Sequence, residues 1–173
     1  METQFKALMQ IGIIVRDLEE AVKQYEAMGM GPWEISVMNN TIPPFEDLKF
    51  DGKELETKGD IMKTAMITCY GLELELIEPI AQETAYYKWL KEHGPGIHHV
   101  AFDVKDDYET FLKKSKEMTG KDPWVRGQGI YGIMDFSYVD LREQMGIIVE
   151  CYKHLQPGKQ YLTYEKEAEV VKE

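Results

Sequence analysis

Gln10-Ile-Gly-Ile-Ile-Val-Arg-Asp17 is answered 89 positions later by His99-Val-Ala-Phe-Asp-Val-Lys-Asp106, and this echo decides the fold. Each stretch is an apolar, β-branched run closed by Asp, the pattern of a strand running into a helix start. After the first Asp, Leu18, Ala21, Val22, Tyr25 and Met28 recur at the spacing of one buried helix face. Tyr108, Phe111, Leu112, Ser115 and Met118 repeat that spacing. Asp17 with Glu20 forms a capping-box signature, and Gly29 and Gly120 mark the helix ends. Each half therefore opens with a strand and then a capped helix.

Working outward, three extended segments follow each helix. In the first half they are Trp33 to Met38, Asp60 to Cys69 and, past a turn at Tyr70-Gly71, Leu72 to Ile77. In the second they are Pro123 to Arg126, Tyr131 to Tyr138 and Gly146 to Tyr152. Glu75 follows Gln10 by 65 positions and Glu150 follows His99 by 51, so the first half is longer by about 14 residues. The stretch from Asn39 to Lys58, with Pro43, Pro44 and Gly52, is expected to hold them as a loop beside the cleft. Glu83 to Glu92 reads as a linking helix closed by Gly94-Pro95-Gly96. The halves thus form a first βαβββ module over about 6–80, a linking helix over about 83–93 and a second module over about 96–154, with a charged tail over about 157–173.

With 173 residues, 43% hydrophobic and 29% charged, the chain suits one compact α+β domain rather than several. It carries 31 acidic against 20 basic residues, a formal charge of −11, which excludes a broad electrostatic footprint for nucleic acid or an anionic membrane. No run of eighteen apolar residues occurs and the N-terminus lacks a basic and then apolar leader, so neither a transmembrane helix nor a signal peptide is expected. Cys69 and Cys151 stand alone in apolar runs, as reduced thiols of a cytoplasmic protein would.

The chemistry rests on four polar residues at repeat-equivalent positions in apolar strands. Gln10 and His99 occupy the opening strands, and Glu75 and Glu150 the closing ones. Alone, each is ordinary: a strand-edge amide, two outward charges, a hydrogen-bonded core imidazole. Together they are not, because a buried carboxylate is costly unless paired or bound to a cation. One imidazole, one amide oxygen and two carboxylates suit a single divalent cation with open coordination positions. Neighbouring His98 is expected to face the other way, in a structural role. Glu73, two before Glu75, shares its face as a competing or supporting carboxylate.

These motifs resemble the vicinal oxygen chelate superfamily over about Lys6 to Lys153. The resemblance rests on Gln10 through Val22, on Glu75-Leu-Ile-Glu-Pro79, on Gly94-Pro-Gly-Ile-His-His-Val-Ala-Phe102 and on Gly146-Ile-Ile-Val-Glu150. It implies two βαβββ modules forming a curved mixed β-sheet around a metal-binding cleft, and a homodimer. The Gly-Pro-Gly-Ile-His-His stretch and the preceding Tyr87-Lys-Trp-Leu-Lys-Glu-His-Gly are most similar to the methylmalonyl-CoA epimerase branch. That branch implies proton transfer next to a carbonyl of an acyl-CoA or other thioester, with Gln10, Glu75, His99 and Glu150 as ligands to one zinc, cobalt, nickel, manganese or magnesium ion. Glu150 would move the proton on one face, with Glu75 as the symmetry-related candidate on the other. Lys63 would stand where epimerases place a further carboxylate base, as a substrate-binding cation.

The Gln, Glu, His, Glu ligand set is itself similar to that of eukaryotic-type glyoxalase I, a lactoylglutathione lyase. The neighbours expected to bind glutathione there are replaced by Ile14, Pro79 and Pro95. A metal-free protein that sequesters drugs is the alternative of another class. Tyr86, Tyr87, Trp89, Trp124, Tyr131 and Phe136 could line a cleft, and Lys63, Lys88, Lys91, Arg126 and Arg142 could meet the phosphates of CoA.

Overall fold

The structure, a computed structural model, describes residues 5, 7–41, 48–69, 71–104, 107–130 and 134–154. Tyr70, Asp106, Tyr131, Pro43, Pro44 and the charged tail lie outside these residues. The first module runs β1 (Ala7–Ile14), α1 (Leu18–Ala27), β2 (Glu34–Asn39), β3 (Lys49–Phe50), β4 (Lys53–Glu54), β5 (Asp60–Cys69) and β6 (Leu72–Pro79). Helix α2 (Ala85–His93) links it to β7 (Gly96–Asp103), α3 (Tyr108–Thr119), β8 (Val125–Ile130), β9 (Met134–Leu141), the one-turn α4 (Arg142–Met145) and β10 (Ile147–His154).

The strands form one curled mixed sheet in the order β2-β5-β6-β1-β7-β10-β9-β8-β3-β4. β1 runs parallel to β6, and β7 parallel to β10, while β1 and β7 meet antiparallel at the centre. The two halves are therefore related about the β1–β7 seam. The stretch expected to be a loop instead contributes β3 and β4. β3 pairs with β8, so the extra residues of the first module extend the edge of the second.

Capping follows from local chemistry. The Asp17 carboxylate accepts from the Glu20 amide at 2.9 Å, and Glu78 of β6 accepts from the Leu18 amide at 2.8 Å. Two of the open donors at the start of α1 are thus satisfied. Thr84 caps α2 through the Tyr87 amide at 3.1 Å. Helix α1 buries Leu18 and Val22 against Ala65 and Leu76 on the outer face of the sheet. Helix α3 likewise buries Tyr108, Phe111 and Leu112 against Val139, Val149 and Cys151. The last position of each expected apolar stripe is instead exposed, Met28 at 82% just past the end of α1 and Met118 at 59% in the last turn of α3. The inner face is closed by α2, whose Tyr86 and Leu90 pack with Phe50, Phe136 and Tyr138.

Among the described residues, no helix is long and apolar enough to cross a membrane.

Candidate functional site

Two rows of paired residues cross the inner face of the sheet. In one, Glu73, Gln10, Ala101, Glu150 and Tyr138 are successive partners from β6 through β1, β7 and β10 to β9. In the other, Glu34, Met66, Glu75, Gly12 and His99 are successive partners from β2 through β5, β6 and β1 to β7. Side chains of directly opposed residues share a face, so the four expected ligands emerge from two adjacent rows on one face. In each row a small residue separates the two donors: Ala101 between Gln10 and Glu150, Gly12 between Glu75 and His99.

The opening strands deliver their donors by the same device. One extra residue on β1, Met9, precedes Gln10, and one extra residue on β7, His98, precedes His99. Such bulges re-aim the following side chain. Here they correct the expectation for His98, since the bulge breaks the alternation and both imidazoles are buried. Their Nδ1 atoms are 3.0 Å apart. The His98 ring is enclosed by Tyr86, Trp89, Trp124 and Tyr138, with Trp124 stacked at 5.4 Å. Burial, with His99 and Arg142 nearby, holds its pKa well below the usual imidazole range, so it is neutral.

At the centre, His99 Nε2 lies 3.2 Å from Gln10 Oε1, 3.2 Å from Glu150 Oε2 and 3.8 Å from Glu75 Oε2. None of the four residues is more than 5% exposed. The Tyr152 hydroxyl reaches Gln10 Oε1 at 3.4 Å, and the edge of Tyr138 packs on the His99 ring at 4.6 Å. Gln10 Nε2 faces Glu73 Oε2 at 3.5 Å and Met66 Sδ at 3.6 Å, which leaves its oxygen turned toward the centre. Glu73 is pushed up to about 7, first by burial and then by Glu150. Glu75 rises well above the carboxylate range by burial, with Glu150 and Glu73 adding to the effect.

Among the described residues, no three His, Cys, Asp or Glu side chains already stand in a ligating arrangement. The donor set nevertheless fits a divalent cation. Glu150 Oε2 is buried without a hydrogen-bond partner, and a cation would offset the cost of burying carboxyl groups in a space shared with one amide oxygen and one imidazole.

Lys63 is not brought to this cluster. Met66 reaches Gln10, so by strand alternation Lys63 lies on the opposite, helix-bearing side, where its ammonium stands 3.5 Å from Glu78. The other candidate cations also disperse: Arg126 pairs with Glu109, Arg142 with Asp140, and Lys91 sits over Tyr87.

Sequence reasoning missed Gly12 and Glu34. Gly12 had a signal, a glycine inside a strand pattern, which marks a close approach. A Cβ there would stand 1.9 Å from His99 Cε1, so the imidazole lies across bare backbone. Glu34 had none, because its place beside Met66 depends on the β2–β5 register.

Residues 9–129 match the family described as Glyoxalase/Bleomycin resistance protein/Dioxygenase superfamily. No curated protein sequence matches the chain. Among solved structures, the methylmalonyl-CoA epimerase of Mycobacterium tuberculosis is 18% identical, with a TM-score of 0.60 over 88% of this chain and 91% of that one. A variant of the Streptomyces coelicolor methylmalonyl-CoA epimerase, in complex with 2-nitronate-propionyl-CoA, is 22% identical, with a TM-score of 0.56 over 86% and 97%. A hypothetical protein from Bacillus halodurans is 20% identical, with a TM-score of 0.57 over 91% and 98%. At these identities the likeness is one of fold.

Proposed function

Because the chain belongs to the glyoxalase/bleomycin resistance protein/dioxygenase superfamily, we propose that it is a divalent-metal-dependent isomerase or epimerase that moves a proton next to the carbonyl of a thioester. The observation that carries this reading is the buried convergence of Gln10, Glu75, His99 and Glu150, with the Glu150 Oε2 unpartnered. Gln10 Oε1, His99 Nε2 and the two carboxylates would hold the cation. When bound it would supply Lewis-acid stabilisation to an oxyanion developing on the substrate carbonyl, a contribution of several kcal/mol.

The chain's own groups would do the rest. Glu150 would take the proton from the carbon acid on one face on loosening from the cation. Glu75, its counterpart across the seam, returns a proton on the other face. Glu73 turns Gln10 so that its carbonyl oxygen, not its amide nitrogen, faces the centre. Tyr86, Phe136 and Tyr138 exclude water from the wall, which strengthens every charge interaction inside it.

Two measurements test this reading. Protein purified without a chelator or histidine tag and reloaded with zinc, cobalt, nickel, manganese or magnesium should hold about one ion per chain, and Glu150→Ala should lose or weaken it. Absence of bound metal under all five conditions would sink the reading and favour a metal-free binding protein. In heavy water the loaded protein should exchange the proton at C2 of an acyl thioester. Isomerisation of a glutathione hemithioacetal instead would assign lyase chemistry, which the pair of carboxylate ligands also suits.

A further inference from the structure

We infer that Arg142 is a positioning residue for His99, acting from the surface through two tryptophans and His98. The inference rests on the proposed function for what His99 holds, and on packing for how Arg142 reaches it.

The need for such a device follows from His98 itself. Its Nδ1 lies 3.0 Å from His99 Nδ1, whereas its Nε2 is buried without a hydrogen-bond partner. The last torsion of a histidine side chain is broad, so an imidazole tethered at one nitrogen takes its angle from the rings packed against it. Those rings are Tyr86, Tyr138, Trp89 and Trp124. The tyrosines are locked in the core, 1% and 4% exposed. The tryptophans are only partly buried at its margin, and each needs a support of its own.

Arg142 provides both supports. Its Nε and Nη2 each stand 2.9 Å from a different oxygen of Asp140, a bidentate pair that fixes the plane of the guanidinium. The centre of that plane lies 5.5 Å from the centre of the Trp124 ring, which is stacked on His98 at 5.4 Å. The remaining nitrogen, Nη1, stands 3.1 Å from His93 Nε2. One helical turn before it on α2, Trp89 packs on His93 at 5.1 Å and meets His98 at 5.3 Å. Two lines of contact therefore run from one guanidinium to one imidazole.

The main chain of Trp124 is anchored independently, since its amide donates to the Tyr138 carbonyl at 2.7 Å and its carbonyl accepts from the Asp51 amide at 2.9 Å. What Arg142 adds is the angle of the ring. A lysine ammonium cannot hold Asp140, His93 and an indole face at once, whereas the planar fork does. As an ion pair alone, with the Arg142 side chain 38% exposed, the contact with Asp140 would contribute little. Charge and position also act with opposite sign. Removing Arg142 deletes a positive charge and leaves Asp140 unpaired, which by itself favours a cation nearby, while loss of the His98 contact disfavours it.

The test measures cobalt affinity by chelator competition for the wild type, Arg142→Ala, Arg142→Lys, His98→Phe and the double variant of His98→Phe with Arg142→Ala. Arg142→Ala is expected to weaken binding about 3- to 10-fold, less than the about 10- to 100-fold typical of a group that touches the ligand directly, with an unfolding midpoint near that of the wild type. Arg142→Lys should recover little of the loss. In His98→Phe the further change to alanine should cost less than about twofold, because the contact it protects is already gone. Equal or tighter binding by Arg142→Ala, full recovery by lysine, an undiminished effect in His98→Phe, or a loss matched by a large fall in midpoint would each overturn the inference. Imidazole signals in proton–nitrogen NMR spectra of the metal-free protein separate it from the proposed function. Arg142→Ala should shift the ring signals of His98 and His99, and a change confined to His93 would overturn the inference whether or not a metal binds. A wild type that takes up no cobalt yet shows the shifts in His98 and His99 would refute the metal-dependent reading and leave the positioning of His99 standing.

Discussion

Gly12 is the residue on which the His99 imidazole rests, and the geometry leaves no space for a methyl group between them. A Cβ at Gly12 would lie 1.9 to 2.4 Å from three atoms of the ring, so Gly12→Ala must push His99 out of the row it shares with Glu75. The expected cost is about 1–3 kcal/mol of stability, the range for overpacking a dense interior, together with a sharp loss of metal affinity. Urea unfolding and a chelator competition would read both, and an unchanged affinity would show that His99 is not a ligand. At the same scale, Glu73 and Glu75 set a pH dependence. Burial pushes Glu73 up to about 7 and holds Glu75 well above the ordinary 4.5. From about pH 5 upward the metal-free native state therefore keeps protons that the unfolded chain has lost, and its stability falls as pH rises through 7. Glu73→Gln should flatten the part of that slope between pH 5 and 7 and leave the metal-free protein about 2 kcal/mol more stable at pH 8. A wild-type stability that climbs over this window would contradict the burial of these carboxyls.

At the scale of elements, the two bulges explain both what could be read in advance and what could not. The equivalence of Gln10 with His99 and of Glu75 with Glu150 was legible because strand alternation and the repeat operate within a few residues of each position. The capped helices were legible for the same reason: Asp17, Glu20 and Gly29 act locally. The orientation of His98 was not, because an extra residue in β7 is defined only against its partner β1. Nor was Lys63, whose face depends on the pairing of β5 with β6. Under the proposed function the bulge would also give His98 a task. For His99 Nε2 to offer a lone pair to a cation, its Nδ1 must carry the proton, and the His98 Nδ1 at 3.0 Å would then be the acceptor for it. His98→Phe keeps a ring within the aromatic enclosure but removes that acceptor. Cobalt affinity should fall about 10- to 100-fold, with little change in unfolding midpoint. Equal affinity would mean that the contact between the two imidazoles is incidental.

Across the whole molecule, the stretch after β2 ties the first module to the far edge of the second, a connection that spacing alone had reduced to a loop. Two-residue strands carry almost no stability by themselves, so the tie depends on what their side chains bury. Phe50 supplies it: 5% exposed, it meets the Tyr86 ring edge-on at 5.9 Å, and Tyr86 in turn packs on Tyr138, which touches His99. A residue of the first module thus reaches, through the linking helix, the wall of the site built on the second. Phe50→Ala should cost about 3–5 kcal/mol, the range for emptying a buried aromatic position. Because Tyr86 loses its support at the same time, metal affinity should weaken although Phe50 lies in neither row of the site. Calorimetric unfolding with and without cobalt would measure both effects. If β3 and β4 only decorate the edge, the variant will unfold near the wild-type temperature and bind the ion unchanged. If they clasp the modules, both quantities will fall together.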